Sequence, residues 1–285
     1  MDKTIKVLII ILLSILIVGS LGAFTMLFTK NSDFELYKTS KVYDNDIEEE
    51  FNAINVESDS LDIKIVKANN EKTNVKIFDR NDKGISVKVE DNTLKIVDDN
   101  INSFCFMCFE KREAIISLPE RVYDLVVESA SGDISSSIDL GNVTIVSTSG
   151  DIDLKNTKDL TIVVTSGDIE VKEVDNISIT STSGDVEIEK VNNSLDIQTI
   201  SGDIGINKLT ITKDSEINVM SGDVVINNAS EAIYVNAKAT SGDIKIKDNN
   251  RRAEYELKIE TTSGDIIVRW VDLVYCFSYL PHVLY

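Results

Sequence analysis

The chain has 285 residues, a formal net charge of −19, and 42% hydrophobic but only 6% aromatic residues. Its length accommodates one or two domains. The acidic balance argues against nucleic acid, and against an anionic membrane surface, as partners, because both would repel it.

Residues 1–30 read as a cytoplasmic stub and a transmembrane helix. Val7 to Phe28 is apolar and uncharged, and about 20 such residues span a bilayer as a helix. The lipid bilayer is therefore an expected partner through residues 7–28. Lys3 and Lys6 precede the run and hold the short N-terminus inside. The expected location is the cell membrane, single-pass, with the C-terminal domain extracytoplasmic. A cleaved signal peptide is the alternative, with Gly19, Ser20, Gly22 and Ala23 where cleavage would fall. No Cys closes the run, which argues against a lipoprotein anchor.

Residues 31–50 are polar and acidic and read as a linker. From Phe51 an alternating apolar pattern begins. Ile54, Val56, Ser58 and Ser60 precede Leu61-Asp62-Ile63-Lys64-Ile65, and Val75, Ile77, Ile85, Val87, Val89, Leu94 and Ile96 continue it. These read as degenerate coils that cap a β domain over 51–268. Phe104 to Phe109 interrupts them with Cys105 and Cys108. A zinc site would need a second ligand pair, and neither Cys276 nor the single His, His282, supplies one at a useful spacing. The segment reads as an apolar loop on the domain's flank, with contact to membrane or partner as the other reading.

The strict grammar occupies 125–268. Ser-Gly-Asp followed by Ile or Val occurs eight times: Ser131-Gly132-Asp133, Ser149-Gly150-Asp151, Ser166-Gly167-Asp168, Ser183-Gly184-Asp185, Ser201-Gly202-Asp203, Ser221-Gly222-Asp223, Ser241-Gly242-Asp243 and Ser263-Gly264-Asp265. The intervals are 18, 17, 17, 18, 20, 20 and 22 residues, and a fixed period near 20 is the signature of a repeat architecture. Apolar residues alternate on both sides of each motif, as in Ile177, Ile179, Val186 and Ile188, so each arm is a strand with one buried face. The phase shifts across Gly-Asp, where Gly allows positive φ and Asp bonds nearby backbone, so the chain turns there. An antiparallel meander would fit this pattern locally, but it would make an uncovered sheet of about sixteen strands, where open sheets rarely exceed about ten. The pattern favours an all-β, single-chain β-solenoid of stacked coils of roughly 17–22 residues.

In such a stack the motif Asp residues form a column. Each is expected to accept from amides of its own turn. Calcium is the alternative, with Asp153, Glu170 and Glu187 nearby, although the Gly-rich grammar of calcium-binding β-rolls is absent. Residues 269–285 break the grammar with Trp270, Tyr275, Phe277, Tyr279 and Tyr285. They read either as a cap over the core's end or as an aberrant terminus.

The repeated arms, as in Thr165-Ser166-Gly167-Asp168-Ile169, together with Leu118-Pro119 before the first strict repeat, resemble the bacterial "putative adhesin" domain family. The resemblance covers about 51–268. It implies a β-solenoid-like domain of unknown function, often membrane-anchored in low-GC Gram-positive bacteria, with some members near envelope-stress systems. It carries no catalytic residues. The tail and the Cys105/Cys108 segment depart from it.

The expected function is a non-catalytic adhesion or interaction module of the cell envelope. Its partner would be an envelope protein or wall polymer, and no cofactor or metal is expected. A calcium-binding surface repeat protein is the alternative. A carbohydrate-active β-helix enzyme is the weakest reading, because acids are spread over every coil and the repeats hold almost no aromatic platforms.

Overall fold

The computed structural model describes residues 40–79, 84–98, 112–247 and 249–270. The expected membrane span, the Cys105/Cys108 segment and residues 271–285 lie outside the described residues. The chain divides into two units, residues 1–38 and residues 39–285, and all the described residues lie in the second.

The described residues are all-β, with nineteen strands and no helix. Before the strict repeats stand β1 (Ser40–Ile47), β2 (Ala53–Ser58), β3 (Asp62–Lys67), β4 (Thr73–Asp79), β5 (Ile85–Glu90), β6 (Thr93–Asp98), β7 (Glu113–Leu118) and β8 (Asp124–Ser129). Then β9 (Ile134–Ser149), β10 (Ile152–Ser166), β11 (Ile169–Ser183) and β12 (Val186–Ser201) each run from one Ser-Gly-Asp to the next. Beyond Ser201 the spacing lengthens, and the extra residues split each coil at its middle. The pieces are β13 (Ile204–Leu209), β14 (Ser215–Ser221), β15 (Val224–Ala229), β16 (Ile233–Ser241), β17 (Ile244–Ile246), β18 (Tyr255–Ser263) and β19 (Ile266–Trp270).

The coils stack in parallel, like residue on like. Ile152 lies beside Ile134 and Ile169, and Ile162 beside Ile145 and Ile179. The meander is thereby excluded, and the β-solenoid arrangement holds. Each coil has a leading arm after its Asp and a trailing arm before the next Ser. The alternation falls in the expected phase: Ile179 and Ile188 are buried, while Glu187 and Glu189 are exposed. A buried position in one coil touches the same position above and below, so columns of Ile and Val build one continuous core.

Both ends depart from chain order. At the N-terminal end β2 pairs with β8, and β3 with β9, as an inner coil. Its turn is Ser60-Leu61-Asp62, with Leu61 in the Gly position. Strands β6 and β7 pair outside β2 and β3. Antiparallel strands then cover this end: β5 on β6, β4 on β7 and β1 on β4. The β5–β6 hairpin turns through Asp91 and Asn92 at φ 49° and 63°, the left-handed pair a tight hairpin needs.

Within the segment expected to be a linker, residues 40–47 form strand β1. Its SKVYDNDI sequence buries little and reads as polar, but backbone pairing to β4 holds it. Asn74 Nδ2 also donates to Asp44 and Asp46. A short charged strand of this kind is a common way to end a sheet.

At the C-terminal end β14 pairs with β18 rather than β16, and β15 with β19 rather than β17. Strands β16 and β17 then lie outside β18 and β19. The Ser263 coil is thus inserted between the Ser221 and Ser241 coils. Side-chain volume explains the order. The Ser263 coil points Leu257, Ile259, Thr261, Ile266 and Val268 inward, whereas the Ser241 coil offers Val235, Ala237, Ala239, Ile244 and Ile246. Burying the bulkier set on both sides removes more apolar area from water.

Candidate functional site

The Ser-Gly-Asp turns form a column along one edge of the stack. All eight motif glycines have φ between +116° and +152°, which L side chains rarely adopt. From Gly150 onward, an added Cβ would lie 2.0–2.2 Å from the neighbouring glycine's carbonyl oxygen. Gly is therefore required twice, by its own backbone and by the coil beside it.

The aspartates form a hydrogen-bonded ladder of a kind the sequence did not suggest. Each Asp Oδ1 accepts the N–H of the next Asp in the stack, rather than an amide of its own turn. The chain of bonds runs Asp62, Asp133, Asp151, Asp168, Asp185, Asp203, Asp223, Asp265, Asp243. The distances run from 2.7 to 3.2 Å. The ladder follows the swapped stacking order and recruits Asp62 from the degenerate coil. Most of its carboxylates are also exposed, so water screens their mutual repulsion.

The motif serines are held less uniformly. Ser131 Oγ donates to Asp59 O and Ser149 Oγ to Ala130 O, while Ser183 Oγ donates to Ser166 Oγ. The carbonyls of Ser183, Ser221, Ser263 and Ser241 accept from Gly167, Gly202, Gly222 and Gly264. A second set of hydroxyls escaped the sequence reading. Ser129, Ser147, Ser181 and Thr199, two residues before the motif Ser, donate to its carbonyl from the core side. The signal for them was a hydroxyl recurring in the inward phase, where an apolar residue would otherwise stand.

A buried ion cluster braces the N-terminal end. Arg112 donates from Nε and Nη2 to Asp79 at 2.7 and 2.8 Å, and from Nη1 to Ser60 Oγ at 3.0 Å. Its Nη2 also lies 2.8 Å from Asp98 Oδ2. Burial alone would push the guanidinium pKa down. The Asp79 hydrogen bonds and the Asp98 charge outweigh this and hold it above its ordinary value. No group of three or more His, Cys, Asp or Glu among the described residues is arranged to hold a metal.

The two outer faces of the stack differ in chemistry. Leading arms present charge: Asp153, Glu170 and Glu187 in register, with Lys155, Lys172 and Glu189 beside them. The trailing arms of the Ser149, Ser166 and Ser183 coils present an uncharged grid. Thr144, Val146 and Thr148 lie beside Thr161, Val163 and Thr165, then Ser178, Thr180 and Thr182, all exposed. The grid runs into a shallow groove of about 450 Å³, lined by Thr182, Ile200, Met220 and Thr262 and by the charged Lys238 and Glu260. Ile200 and Met220 are exposed within it.

Stacked parallel coils with a Gly-Asp edge define a β-solenoid-type repeat domain. The chain belongs to the Toastrack DUF4097 family, whose model matches residues 51–270. Among solved structures it is similar to one named a "putative adhesin" from Bacteroides fragilis, at 19% identity and TM-score 0.51, covering 79% of this chain and 96% of that one. Another "putative adhesin", from Parabacteroides distasonis, is 16% identical at TM-score 0.50, covering 81% and 97%. At these identities the likeness shows the fold alone. No curated protein matches the sequence.

Proposed function

We propose that this protein is a non-catalytic interaction module of the cell envelope, displayed outside the membrane from an anchor at residues 7–28. The carrying observation is the trailing-arm grid of the Ser149, Ser166 and Ser183 coils, an exposed surface of hydroxyls and valines with no charged side chain on a chain of net charge −19. Acidic proteins keep their surfaces solvated with charge, and a patch freed of it offers contact without desolvating ions. A wall polymer or envelope protein with an uncharged, extended surface would lie along it. The names of the two solved relatives accord with this reading. The Asp ladder serves as scaffold, since each carboxylate from Asp62 to Asp265 along it is engaged by an amide of the next coil.

The test compares retention of purified wall material, and of detergent-extracted envelope proteins, by the wild-type chain and two variants. Val163→Lys should abolish retention and Glu187→Lys should leave it unchanged. Equal retention by both variants would move the interaction off this face. Protease added to intact protoplasts should digest residues 31–285, and protection of the repeat domain would overturn the outward topology.

A further inference from the structure

Methionine is an apolar side chain that mild oxidants make polar in place. Among the described residues the chain has a single methionine, Met220. It stands on the outer surface at 56% exposure, while Val219 before it is buried in the core. The stack fixes its surroundings. Val219 pairs with Thr199 and Thr261, and Ser221 with Ser201 and Ser263. Met220 therefore lies between Ile200 and Thr262, each one strand spacing away, about 4.8 Å. All three line the groove that continues the grid.

Two observations suit this position to modification. The first is access: the side chain is reached from solvent without opening the fold. The second is tolerance. Five of the eight coils carry Thr just before the motif Ser, namely Thr148, Thr165, Thr182, Thr240 and Thr262. A polar side chain there is compatible with the same turn and the same strand pairing. An oxygen added in the inward columns of Ile and Val would instead break close packing. At Met220 it changes the surface alone. The thioether sulfur accepts hydrogen bonds weakly, whereas its sulfoxide is polar and chiral.

We propose that Met220 is an oxidation site through which peroxides weaken the contacts of this groove, an inference that rests on the contact face proposed above. The sulfur lone pair attacks the terminal oxygen of a hydroperoxide. The O–O bond breaks and an S–O bond forms. The leaving oxygen takes up the proton and departs as an alcohol, or as water from hydrogen peroxide. Sulfur loses two electrons and the peroxide gains two. The product sets an S–O dipole beside Ile200, and an uncharged partner lying along the face must desolvate it to bind.

Dilute hydrogen peroxide and mass-spectrometric mapping of the full-length chain test this. Met220 should gain one oxygen at a rate within about threefold of free methionine, since access governs the reaction. Met220→Leu carries every other oxidisable residue of the chain and is treated alongside. The two treated proteins should melt within about 2 °C of each other, because the side chain lies outside the core. Retention of the wall material or envelope proteins that the untreated chain holds should fall about tenfold, the effect of one polar group desolvated without a partner. Treated Met220→Leu should keep its retention, and Met220→Gln should show the loss without peroxide. Slow oxidation of Met220, a larger difference in melting, or full retention by Met220→Gln overturns the proposal. Equal retention before and after oxidation overturns it alone, whereas an untreated chain that holds neither material overturns the contact face with it.

Discussion

Ile266 and Ile244 occupy the same place in the repeat, three residues after a motif Ser, yet one is fully buried and the other 45% exposed. Their coils share the Ser-Gly-Asp turn and the ladder bond from the Asp N–H. They differ in neighbours: among the described residues the Ser263 coil has one on each side, whereas the Ser241 coil has one. Burial in a stacked fold thus belongs to position in the stack as much as to phase within the coil. The terminal coil is where small residues are tolerated, and Ala237 and Ala239 sit there.

The largest test of this contrast places a charge at each Ile. Ile266→Asp buries an unpaired carboxylate and should lower unfolding free energy by more than about 4 kcal/mol, whereas Ile244→Asp should cost less than about 1 kcal/mol. Urea denaturation of the two variants checks it, and equal losses would refute the inserted position of the Ser263 coil.

The N-terminal end sharpens the same comparison, because its outer coil is braced by an ion cluster. Arg112→Met leaves Asp79 and Asp98 buried without their guanidinium and should cost about 3–5 kcal/mol. A loss below about 1 kcal/mol would show that the cluster is wetter than its geometry indicates.

Glycines provide a finer contrast. Gly184→Ala places a Cβ 2.1 Å from Gly167 O at φ +117° and should destabilise by at least about 2 kcal/mol. Gly205, in β13, has no atom closer than 3.9 Å to an added Cβ. Gly205→Ala should be neutral, or stabilise by about 0.4–1 kcal/mol through the unfolded state. Thermal melts of the pair separate the ladder requirement from a general preference for glycine.

The smallest expected effect is on the leading-arm face. Glu187→Lys reverses an exposed charge and should shift stability by less than about 0.5 kcal/mol. A larger shift would mean that the Asp153, Glu170 and Glu187 column contributes to stability.

Much of this architecture was legible in the chain. The period, the phase of Ile177, Ile179, Val186 and Ile188, the turn at each Gly-Asp, and the Ser60-Leu61-Asp62 turn as a coil without its Gly are all local patterns, and short-range sterics enforce them. The trailing-arm grid was equally present as Thr and Val at outward positions, but single residues gain meaning as a surface only when coils lie side by side.

Three features were decided by tertiary structure alone. The Asp ladder bonds upward because positive φ at Gly aims each Asp amide at the neighbouring coil, a direction that spacing does not encode. Strand β1 forms from a polar segment because β4 offers a free backbone edge, and main-chain hydrogen bonds are indifferent to side-chain hydropathy. The Ser263 coil lies inside the Ser241 coil because apolar burial rewards the bulkier set of side chains. Both coils carry the same motif, so their sequences specified what each coil is, and only competition for the same neighbour specified where each one sits.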